Sequence, residues 1–335
     1  MTFKNKMQKI IAFLSLIRLQ NLFIVALCQY FIRFAFTKTF LPFPALNDLE
    51  FFFFVFTTIS IAASGYIIND IYDVETDKIN KSGKLIIGEI IKVETAIIFY
   101  FLLNTIALFS GVYLAIIIGK PLYSLIFVYC IFFLWRYSRS MKKAFLIGNL
   151  HVGILTALVL INTALFDIIP NIHFPGNESG RMILKIILVY SLFSFFLTLI
   201  REFVKDIEDK EGDMAINAKT LVIVLGVKKT KFIIFCLSFA VLVIVGFWQY
   251  FQFQIISLNS IIKWDGEVYE SVLIWGTDRF AIIYTAILQT ILLLFVLRLY
   301  NSRTKKDFYY LSQLCKIIML VGICSMPFFT YFYLQ

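Results

Sequence analysis

Charged residues are scarce in this 335-residue chain. They make up 16% of the sequence, whereas a typical soluble domain carries about 25%. Hydrophobic residues make up 60%, and the mean hydropathy is +0.86. This composition excludes an ordinary water-soluble globule, because too few polar side chains are available to cover so much apolar surface. A lipid bilayer is the solvent that suits such a chain.

Nitrogen and sulfur ligands for metals are also scarce. The two histidines, His151 and His173, are too few and too far apart in sequence for a histidine-based metal site. The five cysteines lie in apolar segments without the spacing of a metal site or a redox motif, and we interpret them as packing residues. Any bound metal must therefore be held by oxygen ligands. The cysteines are Cys28, Cys130, Cys236, Cys315 and Cys324.

Nine apolar segments come close to the roughly 20 residues that a helix needs to cross a bilayer. No linker or low-complexity stretch separates them, so residues 1–335 are predicted to form a single membrane-embedded domain. The expected fold is all-α and polytopic. The segments lie at about 10–36, 51–70, 94–118, 121–135, 145–166, 182–204, 232–251, 280–299 and 308–334.

Lysine and arginine are distributed unequally between alternate connections of these segments. One set of connections holds 22 of them and the other set holds 5. The positive-inside rule therefore predicts a cytoplasmic N-terminus and, after nine spans, a C-terminus outside, in the inner membrane of a cell. The net charge of +10 follows from this bias, so we do not expect a nucleic acid partner.

The acidic residues gather in two clusters, at the predicted cytoplasmic ends of the second and sixth spans. If the helices continue through the clusters, the spacings place each set along one helical face. The alternative is that these acids are solvated helix ends without a function, but two matched clusters in so apolar a chain favour a function. The first cluster contains Asn69, Asp70, Asp73 and Asp77, and the second contains Asp206, Asp209 and Asp213.

Carboxylates this close together repel one another, so a cation is expected between them. Mg²⁺ prefers oxygen ligands and commonly combines a few protein carboxylates with phosphate oxygens of a substrate. Cationic side chains beside the clusters are candidates for binding a diphosphate. Polar residues of the first span are candidate site residues too, because a polar side chain within a membrane is energetically costly and often functional. These candidates are Lys84, Lys142, Arg201 and Lys205 near the clusters, and Arg18 and Asn21 in the first span.

These residues resemble motifs of the UbiA-type intramembrane prenyltransferase superfamily. The first cluster matches the pattern NDxxDxxxD, and the second matches an acidic DxxxD-type motif. Two further stretches agree with the family. They are Tyr137-Ser138-Arg139-Ser140-Met141-Lys142, followed by Gly148-Asn149, and Arg18-Leu19-Gln20-Asn21.

The resemblance implies nine helices around a central cavity, cytoplasmic caps that carry the Asp motifs, and Mg²⁺-dependent transfer of a prenyl group. It makes both clusters metal ligands, with Asp70, Asp73, Asp206, Asp209 and Lys142 in catalytic roles. It also places seven residues near the diphosphate or the acceptor. These are Arg18, Asn21, Asn69, Lys84, Tyr137, Arg201 and Lys205. The run Ser82-Gly83-Lys84-Leu85 departs from the family, which commonly has Pro-x-Arg-Pro there.

Within the superfamily, the second cluster most resembles the branch that forms digeranylgeranylglyceryl phosphate. The expected substrates are a polyprenyl diphosphate and geranylgeranylglyceryl phosphate, with an aromatic quinone or porphyrin-type precursor as the alternative acceptor. A transporter that uses the acids as an ion relay is the competing class, although such proteins usually place ionisable groups near the middle of the membrane. Membrane lipids are expected partners, and no obligatory protein partner is expected.

Overall fold

A computed structural model describes residues 3–75, 85–264 and 274–335. These residues form helices without a β-strand, and nine of the helices are long and apolar enough to cross a membrane, as predicted. The helices are α1 (Phe3–Leu16), α2 (Leu19–Phe40), α3 (Asp48–Tyr72), α4 (Val93–Ile117), α5 (Ser124–Arg139), α6 (Ile147–Asp167), α7 (Gly180–Glu208), α8 (Lys210–Ala215), α9 (Leu221–Trp264), α10 (Arg279–Asn301) and α11 (Lys305–Tyr333). All except α1 and α8 are candidate spans.

The predicted first span at 10–36 is wrong in its boundaries. A separate amphipathic helix, α1, ends at Leu16, and the span itself begins at Leu19. Between them Arg18 adopts a left-handed conformation with φ 52° and ψ 55°, which is uncommon for a residue with a side chain and ends the first helix. Arg18 therefore precedes the span instead of lying inside it.

The spanning helices close a ring in which α2 packs against α3, α3 against α5, α5 against α6, α6 against α7, α7 against α11, and α11 against α2. Helix α4 packs outside α3 and α5, while α9 and α10 pack outside α7 and α11. Five helix ends meet at one end of the bundle. They are the N-terminal ends of α2 and α6 and the C-terminal ends of α3, α5 and α7. The central cavity and the single-domain organisation stay predictions.

The opposite end of the bundle is fixed by a buried ion pair that the sequence analysis did not single out. Arg33 of α2 pairs with Asp167 at the end of α6, and both side chains are buried. Arg33 also donates to the backbone oxygen of Leu46 at 2.7 Å and lies over the ring of Phe51. These contacts tie α2, α3 and α6 together far from the acidic clusters.

The cysteines are free, and their environments differ. Cys28 and Cys315 are buried, which agrees with a packing role. Cys236 is exposed on the outer surface of α9, so the interpretation as a packing residue is wrong for that position.

Candidate functional site

The first acidic cluster lies where α3 ends. The helix stops at Tyr72, and Asp73 caps it with its backbone N–H donating to the oxygen of Asn69. The Asn69 side-chain amide donates to the Asp73 carboxylate at 2.7 Å, so the side chains of these two residues meet. The condition under which the first cluster would share one helical face, a helix that continues through it, does not hold, because the helix ends at Tyr72 and the chain turns at Asp73. Asp77 lies outside the described residues.

Asp70 is held by residues at the start of α2. The Arg18 guanidinium donates to the Asp70 carboxylate at 2.9 Å and lies 4.7 Å from the centre of the Tyr66 ring. Asn21 donates to the Tyr66 hydroxyl at 3.3 Å. The left-handed turn at Arg18 therefore aims a cation at the first cluster and places Asn21 one turn behind it. Both predicted residues reach this site.

Lys142 forms an ion pair with Asp73, although the two residues are 69 positions apart. It lies in a short turn, Met141–Lys143, between α5 and α6. Burial and the neighbouring Lys143 lower the pKa of the Lys142 ammonium to about 8, while Asp213 and Asp70 act in the opposite direction. Lys142 is therefore a cation at neutral pH, and it faces carboxylates of both clusters.

Gly148 allows the Lys142 turn to approach the first turn of α6. A Cβ at Gly148 would lie 2.8 Å from the Met141 backbone oxygen and 2.9 Å from the Lys142 Cα. Both distances are shorter than a real Cβ contact allows, and both neighbours are backbone atoms that cannot rotate away. The glycine therefore positions Lys142 through close packing of two backbone segments.

The second cluster extends across the junction between α7 and α8. Helix α7 ends at Glu208, Asp209 is the residue between the two helices, and Asp213 lies in α8. The condition of one continuous helix does not hold here either, since the Asp209 backbone leaves the helical conformation with ψ 6°. The backbone N–H of Asp213 still donates to the Asp209 oxygen at 3.1 Å, which keeps the two residues close.

Asp206 faces the start of α6, where the side-chain amide of Asn149 donates to its carboxylate at 3.1 Å. Burial and the charge of Asp209 raise the pKa of Asp213 to about 6. The raised value is a sign that carboxylates of the second cluster are crowded and lack a full complement of cations. A bound cation would relieve this repulsion.

The other predicted cations also lie along α7. Arg201 pairs with Glu202 at 2.6 Å, and Lys205 pairs with Asp209 at 3.4 Å. The Tyr137 hydroxyl of α5 lies within electrostatic range of both Arg201 and Asp206, so it belongs to the same region. Lys84 lies outside the described residues.

The two clusters are brought together by the turn between α5 and α6. Lys142 contacts Asp73 of the first cluster and lies within electrostatic range of Asp213 in the second. A backbone hydrogen bond of 2.8 Å from Lys219 to the Lys143 oxygen joins the same turn to the segment after α8. The predicted proximity of the two acidic sets therefore agrees with the geometry, with a lysine between them.

The donor atoms fit Mg²⁺ by their chemistry, since the clusters offer only oxygen ligands. Among the residues that the structure describes, no three acidic, histidine or cysteine side chains form a ready metal cage. Mg²⁺ commonly needs only one or two carboxylates when phosphate oxygens complete its shell. The site therefore fits an ion that binds together with a diphosphate. Its candidate ligands in the described part of the chain are Asn69, Asp70, Asp73, Asp206, Asp209 and Asp213.

The sequence analysis missed three residues of this region as site residues: Tyr66, Gly148 and Asn149. Gly148 and Asn149 belong to the stretch that follows Lys142 in the family resemblance, and that motif is the signal that could have assigned them. Tyr66 lies one turn before the first cluster on α3, but nothing in the sequence distinguishes it from the other aromatic residues of a chain with 17 tyrosines and 38 phenylalanines.

Comparison with known proteins identifies the family of the chain. The profile of the UbiA prenyltransferase family matches residues 24–262 of the chain. The chain belongs to this family. It is therefore a prenyltransferase and a multi-pass integral membrane protein, as the sequence analysis predicted.

Individual UbiA-type proteins resemble the chain to different extents. The digeranylgeranylglyceryl phosphate synthase of Sulfurisphaera tokodaii is 35% identical over 206 residues, which cover 61% of this chain and 68% of the relative. A solved structure of a digeranylgeranylglyceryl phosphate synthase has a TM-score of 0.61 at 23% identity and covers 96% of this chain and 99% of its own. A UbiA homologue from Archaeoglobus fulgidus, bound to DMAPP and Mg²⁺, has a TM-score of 0.53 at 12% identity and covers 94% and 98%. Both structures show that the fold is shared.

Proposed function

We propose that this prenyltransferase moves a geranylgeranyl group from geranylgeranyl diphosphate to geranylgeranylglyceryl phosphate in an Mg²⁺-dependent reaction. The observation that carries the proposal is the position of Lys142, which pairs with Asp73 and faces Asp213. Two carboxylate clusters with a cation between them suit a diphosphate that is bound through a metal. The choice of acceptor is supported by the name of the Sulfurisphaera tokodaii relative.

In the proposed reaction the bond between C1 of the donor and its diphosphate oxygen breaks, and the bonding electrons leave with the diphosphate. The glycerol hydroxyl oxygen of the acceptor then bonds to C1, and its proton is released. Mg²⁺, when bound, supplies positive charge that stabilises the departing diphosphate. Lys142 and Arg18 supply further positive charge from fixed positions, so less reorganisation is needed as the bond breaks.

An allylic cation formed at C1 would react with water, so the reaction needs a dry site. The residues behind the clusters are apolar: Ile67 of α3 and Val204 of α7 are fully buried. A bundle in a bilayer excludes water from this region, and the surrounding lipid suits the long isoprenoid chains of both substrates. The membrane-embedded fold therefore serves the chemistry as well as the location.

We also propose that the site opens toward the cytoplasm, with the N-terminus inside and the C-terminus outside in the inner membrane. The support is the excess of lysine and arginine, 22 against 5, in the connections at the end where the acidic clusters lie. Polyprenyl diphosphates are water-soluble at their head group, so such a site can receive them from the cytoplasmic surface.

The experiment that tests the proposal is a substrate panel on the purified protein in Mg²⁺. Geranylgeranyl diphosphate is offered with geranylgeranylglyceryl phosphate, or with aromatic quinone precursors, and both diphosphate release and lipid product are scored. We expect the ether lipid product only with the glyceryl phosphate. Product with an aromatic acceptor alone would reassign the acceptor class, and ion uptake by proteoliposomes without diphosphate release would favour a transporter.

A further inference from the structure

Lys316 is a charged residue within the spanning helix α11, eleven positions after the helix begins at Lys305. A charged side chain at such a depth is costly and usually has a partner or a function. In the described part of the chain, Lys316 forms no hydrogen bond and no ion pair. The helix therefore carries a cation that no acid among the described residues pairs with.

The packing of α11 against α7 fixes where Lys316 lies. The Thr198 hydroxyl of α7 contacts the Met319 sulfur of α11 at 3.8 Å. The two helices run in opposite directions, so one turn from this contact toward the acidic end brings Arg201 on α7 opposite Lys316 on α11. Cys315, the neighbour of Lys316, is buried and lies within electrostatic range of Arg201, in agreement with this register.

Lys316 belongs to a group of four cations at the inner edge of the site. Arg18, Arg201 and Lys205 all lie within electrostatic range of it. Each of these three has its own anion, in Asp70, Glu202 and Asp209 respectively. Glu202 is also within range of Lys316, but it is already engaged by Arg201. Glu208 lies within electrostatic range of Lys205 and Arg201 as well. Lys316 is therefore the member of this group that forms no ion pair with a described acid.

The two substrates of the proposed reaction differ in the anions that they bring. The diphosphate of the donor is accounted for by the acidic clusters with Lys142. The acceptor brings a phosphate monoester, which carries nearly two negative charges at neutral pH and binds well to lysine and arginine. We propose that Lys316, together with Arg201, binds the phosphate monoester of the acceptor lipid. This inference rests on the proposed function and deepens it.

The position of Lys316 suits an acceptor of this kind. Its neighbours on α11, Leu311, Cys315 and Ile318, belong to a buried apolar cluster with residues of α7. An anchored phosphate would leave the isoprenoid chain of the acceptor among apolar side chains or lipid. The glycerol hydroxyl, next to the phosphate, would then face the acidic clusters.

The test uses the purified full-length protein with Lys316→Met, which removes the charge and keeps the length of the side chain. Initial rates are measured with geranylgeranylglyceryl phosphate and with geranylgeranylglycerol, which lacks the phosphate. We expect Lys316→Met to raise the KM for the phosphorylated acceptor by about 10- to 100-fold, as for a lost hydrogen bond to a charged group. The KM for the donor should stay within about twofold, and Lys316→Arg should restore acceptor binding.

The control is Lys306→Met in the first turn of the same helix, where the lysine is exposed. Thermal unfolding is measured in parallel. Lys316→Met should be as stable as the natural chain because it removes from a spanning helix a charge that forms no ion pair with a described residue. An unchanged acceptor KM in Lys316→Met, or an equal rise in the donor KM, overturns the inference while the proposed function stands. A natural chain that transfers nothing to geranylgeranylglyceryl phosphate overturns both.

Discussion

Replacing Gly148 by alanine is expected to impair the site without touching any charged residue. The added Cβ would lie 2.8 Å from the Met141 oxygen and 2.9 Å from the Lys142 Cα. Ordinary contact begins at 3.4 Å, so the start of α6 and the Lys142 turn must separate by 0.6 Å, the difference between 3.4 and 2.8 Å. Lys142 moves away from the carboxylates that it joins.

The size of the effect follows from this displacement. Misplacing a catalytic group by about 1 Å costs about 100-fold in rate, so a shift of this size should lower kcat/KM by roughly 10-fold. Overpacking of this kind costs about 1–3 kcal/mol of stability, which a large helical bundle tolerates without unfolding. The variant should therefore fold and insert into the membrane, but it should convert its substrates slowly.

The assay is Mg²⁺-dependent diphosphate release from geranylgeranyl diphosphate, with thermal unfolding in detergent measured on the same samples. Gly322→Ala is the matched control, because a Cβ at this helical position of α11 meets nothing within 4 Å. We expect full activity from the control. Equal activity of Gly148→Ala and Gly322→Ala would refute the reasoning that backbone contact at Gly148 positions Lys142.

Two further predictions concern a titrating carboxylate and a buried ion pair. Because burial and Asp209 raise the pKa of Asp213 to about 6, protons compete with the metal below that pH. The Mg²⁺ affinity measured with bound diphosphate should fall by roughly tenfold per unit below pH 6 and level off above it; a flat profile from pH 5 to 7 would contradict this. Arg33→Met leaves the buried Asp167 without its cation and should lower the free energy of unfolding by about 3–5 kcal/mol, measured by denaturation in detergent. Lys38→Gln, in an exposed ion pair, should change it little, and equal losses would argue against the buried pair as the cause.

The sequence predicted those features that composition and local spacing determine. Nine long apolar runs specify nine spans because a bilayer leaves the backbone few alternatives to a helix. The clusters around Asp73 and Asp209 could be found because acids are rare in this chain. The clusters meet at one end of the bundle because the chain crosses the membrane four times, an even number, between the end of the second span and the end of the sixth.

The local geometry at these residues could not be predicted from spacing. The helices turn at Asp73 and at Asp209, where a periodicity argument extends them, because capping and tertiary contacts decide where a helix ends. Arg18 has a left-handed backbone conformation, and its side chain contacts Asp70 and Tyr66 of α3. Helical periodicity contains no information about such long-range contacts.

The positions of Lys316 and Asn149 depend on packing between helices that are distant in sequence. Asn149 meets Asp206 across 57 residues, and Lys316 faces Arg201 only because α11 packs against α7 in one register. A lysine in an apolar run can be recognised from the sequence as costly. The residues that lie near it in the folded protein cannot be identified before the helices are placed.

The central claim is that both carboxylate clusters act on one diphosphate with Mg²⁺. Asp73→Asn and Asp209→Asn change one cluster each while keeping side-chain size, and Glu211→Gln is the control at an exposed acid beside the second cluster. The measurement is Mg²⁺-dependent diphosphate release from geranylgeranyl diphosphate in the presence of geranylgeranylglyceryl phosphate. We predict a loss of at least about 100-fold in both asparagine variants and none in the control. Full activity in either asparagine variant would contradict the account.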